Sequence, residues 1–155
     1  MKTKYKILIA LIVILIGMQF FGPEKNISAK TPETDFITTT KPSQEIANLI
    51  NVSCYDCHSN NTNYPWYNNI SPISYWMSSH VNEAKEHLNF SEWELYPKDK
   101  KLKLLEEIRE EVQSREMPLN SYTMLHSNAK LSDDQIFQVL EWIDKLKKDY
   151  QSRRK

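Results

Sequence analysis

The sequence predicts an all-α protein in which a small domain of about four helices follows an N-terminal membrane helix and a tether. Three observations predict it. Apolar residues recur at spacings of three and four in separate stretches beyond residue 42. No stretch alternates as a half-buried strand would. The chain also opens with lysines followed by an apolar run. At 155 residues there is room for one ordinary core. A composition 40% hydrophobic and 26% charged is that of a globular chain rather than a disordered one. The formal net charge is zero, and setting aside Lys2, Lys4 and Lys6 leaves 17 basic against 20 acidic residues, a net −3. This mildly acidic remainder offers no basic patch to nucleic acid.

Residues 1–22 read as a signal-anchor. Positions 7–21 are apolar apart from Gln19, and with Tyr5 and Gly22 as flanks the stretch reaches the short end of the roughly 17 to 25 residues a spanning helix needs. The A-x-A-like pattern of small residues that a signal peptidase recognises is absent where the run ends, in Gln19, Phe20, Phe21, Gly22 and Pro23, so retention as an anchor is the expectation. Lipidation would need a cysteine at that point, and the first is Cys54. The leading lysines place the N-terminus in the cytoplasm. The rest then faces outward, a single-pass inner-membrane protein with its domain in the periplasm.

Residues 23–41 are polar, rich in Thr, Ser, Lys and Pro, and without apolar periodicity, which predicts a tether. The domain itself is expected over 42–150. Pro42-Ser43 before Gln44-Glu45 reads as a helix start, and Ile46, Leu49 and Ile50 form a stripe leading to Cys54. A second helix is predicted over 74–88 and a third over 99–115. A fourth follows Ser132, whose partner Gln135 completes a capping box. Both glycines, Gly17 and Gly22, precede the domain, so its left-handed turn positions are expected to fall on asparagine, above all in the Asn-rich loop after the cysteines.

The only two cysteines stand in CYDCH, Cys54 and Cys57 with His58 directly after. A disulfide redox pair, part of a zinc site and covalent haem attachment all use this spacing. A redox pair would sit at the start of a helix after a strand, whereas here a helix precedes it. Zinc would need a fourth ligand, for which His80 or His87 are the candidates. In the haem reading the two thiols take the two vinyl groups of one haem, and the imidazole of His58 lies under the iron.

The stretch resembles c-type cytochromes. The wider pattern CHSNNTNYPWYNNISPISYW, HVNEAKEHLNFSEW and REMPLNSYTMLHSNAKLS, with FFGPEKN ahead of it, resembles the small bacterial haem-binding domain family built around a single C-x-x-C-H. That resemblance implies a cytochrome c-like helical domain and a membrane-anchored, exported protein with one covalently attached haem c. The sixth iron ligand is expected from Met117, in the loop before the last helix, with His80 and Met124 as rivals. Trp66, Tyr67, Trp76 and Tyr122 are candidates to line the haem crevice, and the Pro72 carbonyl is the expected partner of the His58 ring. One-electron transfer to redox partner proteins is the expected function, with no small-molecule substrate and no enzymatic activity. The alternative is a haem sensor or catalytic haem module whose sixth position is open.

Overall fold

The computed structural model describes residues 3–152, so that Lys2, one of the lysines ahead of the apolar run, lies outside the described residues. Among the described residues every regular element is helical, as the periodicity predicts. The eight α-helices are α1 (Thr3–Met18), α2 (Phe36–Thr40), α3 (Gln44–Ile50), α4 (Asp56–His58), α5 (Ile73–His87), α6 (Lys98–Ser114), α7 (Asn120–Thr123) and α8 (Asp133–Ser152). The four long helical patterns recur within a residue or two of their expected starts. Ser43 caps α3 by accepting the Ile46 N–H at 3.3 Å. The capping box of α8 is reciprocal: the Ser132 N–H donates to Gln135 Oε1 at 2.9 Å and the Gln135 N–H to Ser132 Oγ at 3.3 Å.

The core lies where α3, α6 and α8 converge. Ile46 and Ile50 of α3, Leu104, Leu105 and Val112 of α6, and Val139, Ile143 and Leu146 of α8 bury one continuous apolar cluster. Phe90 and Trp93, from the turn after α5, close it. Trp93 is fully buried, and its indole N–H donates to the Tyr150 hydroxyl at 2.9 Å, which removes the cost of burying a lone donor.

Three expectations change. The stretch 23–41 is not a free tether: it is tied to the domain at Asn26 and packs into the core at Asp35 and Phe36. Phe36 is 0% exposed and sits in the core, stacked on Phe90 at 4.8 Å and edge-on to Trp93 at 4.5 Å. Asp35 caps the short helix α2 that carries Phe36, accepting the N–H groups of Ile37 and Thr38. A helix of only 5 residues is too short to show a period, which is why the pattern read as structureless. The left-handed positions, moreover, are Lys41 and Arg115, not asparagines. Both are helix C-terminal residues, where the reversal of the chain sets φ whatever the side chain.

The spanning helix is the third. No helix among the described residues is long and apolar enough to cross a membrane. The 16 residues of α1 reach about 24 Å, against a hydrocarbon core of about 30 Å. Just beyond its end, Gln19 turns its amide back onto the Leu15 carbonyl and across to Ser71, tying the chain to the domain.

Candidate functional site

Helix α3 does not end cleanly before the cysteines. It widens into a π-helical turn, Asn51–Tyr55, and tightens again as α4. Such bulges recur at functional sites because they re-aim side chains without breaking the helix. At about 100° per residue, Cys54, Cys57 and His58 fall on one side of this turn and Asp56 on the other. Cys54 reaches the core side, lining a narrow apolar cavity with Ile50, Phe90, Ile108, Val112 and Val139. Of the three motif side chains only Cys54 lines it; Cys57 and His58 do not.

Both cysteines are free thiols. Burial, helped by the neighbouring Cys57, pushes the Cys54 thiol up to about 12; burial and the Asp56 carboxylate push Cys57 up to about 11. Reactive redox pairs depend on a lowered thiol pKa, and these shifts run the opposite way. No group of three or more His, Cys, Asp or Glu able to hold a metal ion occurs among the described residues, so neither His80 nor His87 completes a zinc site with the motif.

The ring of His58 is fixed from behind. Its Nδ1 lies 3.0 Å from the carbonyl of Leu88, the residue that ends α5. A carbonyl only accepts, so Nδ1 carries the proton. Burial lowers the imidazole pKa, which keeps the ring neutral and leaves the lone pair on Nε2. A carbonyl behind one ring nitrogen is what orients a histidine whose other nitrogen is to hold a metal. The Leu88 contact corrects the expected partner: the Pro72 carbonyl accepts from the Tyr75 and Trp76 N–H groups in the first turn of α5, so the backbone of its own helix uses it.

The chain after His58 is braced from far away. Asn26 donates from Nδ2 to the Ser59 carbonyl at 2.7 Å and to Thr62 Oγ1 at 2.9 Å, and its own carbonyl accepts the Thr62 N–H at 2.9 Å. Lys85 of α5 donates to Asn26 Oδ1 at 2.7 Å. Asn89 and Ser91 hold Asn60 from the other side. Ahead of the motif, Ser53 donates to the Ala129 carbonyl, and the Tyr55 hydroxyl donates to the buried Asp35 at 3.0 Å. Burial raises the Asp35 carboxyl above the usual carboxylate range.

On the far side of the turn, a polar cleft of about 330 Å³ is lined by Val52, Asp56, Tyr64, Tyr122, His126 and three asparagines. Tyr122 donates to Asp56 Oδ2 at 2.7 Å and stacks on His126 at 4.3 Å, and the Tyr67 hydroxyl lies 2.7 Å from His126 Nε2. Burial, and then Asp56, hold the Tyr122 phenol above its ordinary pKa.

The remaining sequence candidates are scattered. Tyr67 and Tyr122 belong to the polar cleft network, with their hydroxyls already engaged. Trp66 is 76% exposed; Trp76 is half exposed and meets the His80 ring at a tilt, centroids 4.2 Å apart. His80 places its Nδ1 on the Trp76 carbonyl of its own helix. Met124 is 82% exposed in the loop after α7. Met117 is half-buried just beyond α6, its N–H donating to the Glu111 carbonyl at 3.1 Å. It follows Ile108 and Val112 of α6, which line the Cys54 cavity.

Sequence reasoning missed Leu88, Asn26 and the Asp35–Tyr55 pair. Leu88 acts through its carbonyl, which no side-chain pattern betrays. Asn26 carried one signal, its place in the FFGPEKN block of the family resemblance.

The haem-binding domain family matches residues 13–145, and the chain belongs to that family. No curated protein and no solved structure matches it.

Proposed function

We propose that this member of the haem-binding domain family holds one haem c covalently on Cys54 and Cys57, with His58 facing its iron, and works as a one-electron carrier attached to the periplasmic face of the inner membrane. The observation that carries the reading is the state of the motif: two un-ionised thiols one helical turn apart beside a buried imidazole whose Nδ1 is tied to the Leu88 carbonyl. Each thiol would hold the group through a thioether made by addition of its S–H across one vinyl double bond, sulfur to one carbon and hydrogen to the other, so attachment would consume no oxidant. The bound group would supply a metal that changes oxidation state by one electron. The Leu88 carbonyl fixes the His58 ring and raises its basicity. Ile50, Phe90, Ile108 and Val112 keep water from the Cys54 side.

We propose that the Met117 thioether would be the second protein ligand to the metal, which would suit a carrier because a thioether favours the reduced metal. Its support is the position of Met117 at the end of the helix whose Ile108 and Val112 line the Cys54 cavity. An open-site sensor or haem enzyme would want a distal polar group. His80, the candidate, is tied to its own helix and lies tilted against Trp76. Membrane attachment is supported by α1, none of whose residues is buried although its sequence is almost wholly apolar.

The test is expression in cells competent for cytochrome c maturation. Intact mass should rise by one haem and the colour should survive acid-acetone extraction, whereas Cys54→Ser with Cys57→Ser should leave colourless protein. Extractable haem would overturn covalent attachment, and free CO binding by the reduced wild type would overturn the carrier in favour of the sensor.

A further inference from the structure

The end of α1 is bolted to the domain at one place. Gln19 Nε2 donates to the Ser71 carbonyl at 3.0 Å, and the Ser71 N–H returns a bond to Gln19 Oε1 at 3.0 Å. Two residues on, the Phe21 carbonyl accepts from the Tyr75 hydroxyl at 3.1 Å. Ser71 is itself buried and linked to Ser74 in the first turn of α5. The apolar helix and the start of α5 are therefore held in one fixed relation.

Around that joint the surface is apolar and aromatic. Phe20 and Phe21 are 80% and 72% exposed, and Ile70, Ile73, Tyr75 and Trp76 are all exposed beside them. Lys25 borders the patch, reaching Asn69 and lying over the Tyr64 ring at 5.7 Å. Scattered apolar residues on a protein surface need no explanation, but a contiguous patch does. This one continues directly from a helix that exposes apolar side chains all round. Aromatic side chains with a polar tip, next to lysine, form the belt seen where proteins meet the headgroup region.

We infer that the domain rests on the lipid bilayer through the face around the Gln19–Ser71 joint, formed by Phe20, Phe21, Ile70, Ile73, Tyr75 and Trp76. The inference rests on the membrane attachment proposed above, and it adds that the domain lies on the membrane instead of swinging beyond it. It also gives the shortness of α1 a physical sense: a helix of about 24 Å leaves part of a hydrocarbon core of about 30 Å unmatched, and a seated apolar face makes up the difference at the outer boundary. Lys25 is placed to meet lipid phosphates. The domain is then held at a fixed height and orientation, so its motif is presented to partners that move in the membrane plane.

The test uses the full haem-loaded chain in phosphatidylcholine vesicles containing a lipid with a photoactivatable acyl chain, with adducts mapped by mass spectrometry. Adducts on peptides from both α1 and 66–76 are expected. Adducts on α1 alone would overturn the seated face and leave membrane attachment standing; no adducts anywhere would overturn both. Chain-to-chain cross-links at 66–76 in place of lipid adducts would assign the face to a second copy and overturn the inference. Ile70→Ser with Ile73→Ser should drop the 66–76 adducts to background, keep those on α1 and leave the helical circular dichroism unchanged. Undiminished lipid adducts at 66–76 in that variant would show that this face is not what seats the domain.

Discussion

The cysteine turn and the stretch from Gln19 to Lys41 are opposites in what they show and what they do. The turn announces its chemistry in five letters, CYDCH, yet its own segment does little to hold it in place. The earlier stretch is a run of Thr, Pro, Lys and Ser with no period, and it supplies Asn26 under the turn, Asp35 against Tyr55 and Phe36 in the core. Chemistry is therefore concentrated in one segment and its rigidity comes from another. The haem attachment proposed above would need a fixed geometry, and the hydrogen bonds that fix this turn span 30 to 36 residues, from Leu88 to His58 and from Asn26 to Thr62.

The largest effect that would break this comparison belongs to Phe36. If 23–41 were a tether, Phe36→Ala would be silent. As a fully buried ring between Phe90 and Trp93, it should cost about 3 to 5 kcal/mol in a urea unfolding titration. A change below about 0.5 kcal/mol, the range of ordinary surface substitutions, would restore the tether.

The next concerns the turn itself. With Cys57 pushed up to about 11, its thiolate fraction at pH 8 is about a hundredfold below that of an unshifted thiol, since each pKa unit is a factor of ten. Folded protein free of haem should therefore react with iodoacetamide at Cys57 about a hundredfold more slowly than the urea-unfolded chain, and the gap should close as pH rises toward 11. Equal rates would mean an activated thiol and would reopen the redox-pair reading.

Asn26→Ala removes the side-chain bonds to Ser59, Thr62 and Lys85 together. A loss of about 2 kcal/mol is expected, the net worth of a few buried hydrogen bonds. Faster amide exchange at Thr62 should accompany it, because that N–H donates to the Asn26 carbonyl. Exchange at Thr62 unchanged from wild type would mean that the brace is not what holds the turn.

The smallest effect on stability should come from Met117→Ala, under about 1 kcal/mol for a half-buried loop side chain. Its signature is spectroscopic: loss of the weak charge-transfer band at the red end of the oxidised spectrum and the onset of CO binding when reduced. If Met117→Ala is silent and His80→Ala or Met124→Ala produces that change, the axial assignment passes to that residue.

By itself the sequence determined what is local. Spacings of three and four located α3, α5, α6 and α8, because a helix brings those neighbours onto one face. Ser43 and the Ser132–Gln135 pair marked two helix starts, because a cap is made with residues three positions away. CYDCH suggested the attachment proposed above because both sulfurs and the imidazole belong to one turn. The tertiary structure alone decided what crosses the chain: that the Leu88 carbonyl and not that of Pro72 backs His58, that Asn26 reaches under the motif, that Phe36 is core, and that Gln19 ties α1 to Ser71. Backbone carbonyls look alike in every residue, and a single Asn or Phe in a polar run has no period to mark it. Such contacts exist only once packing has brought distant segments together.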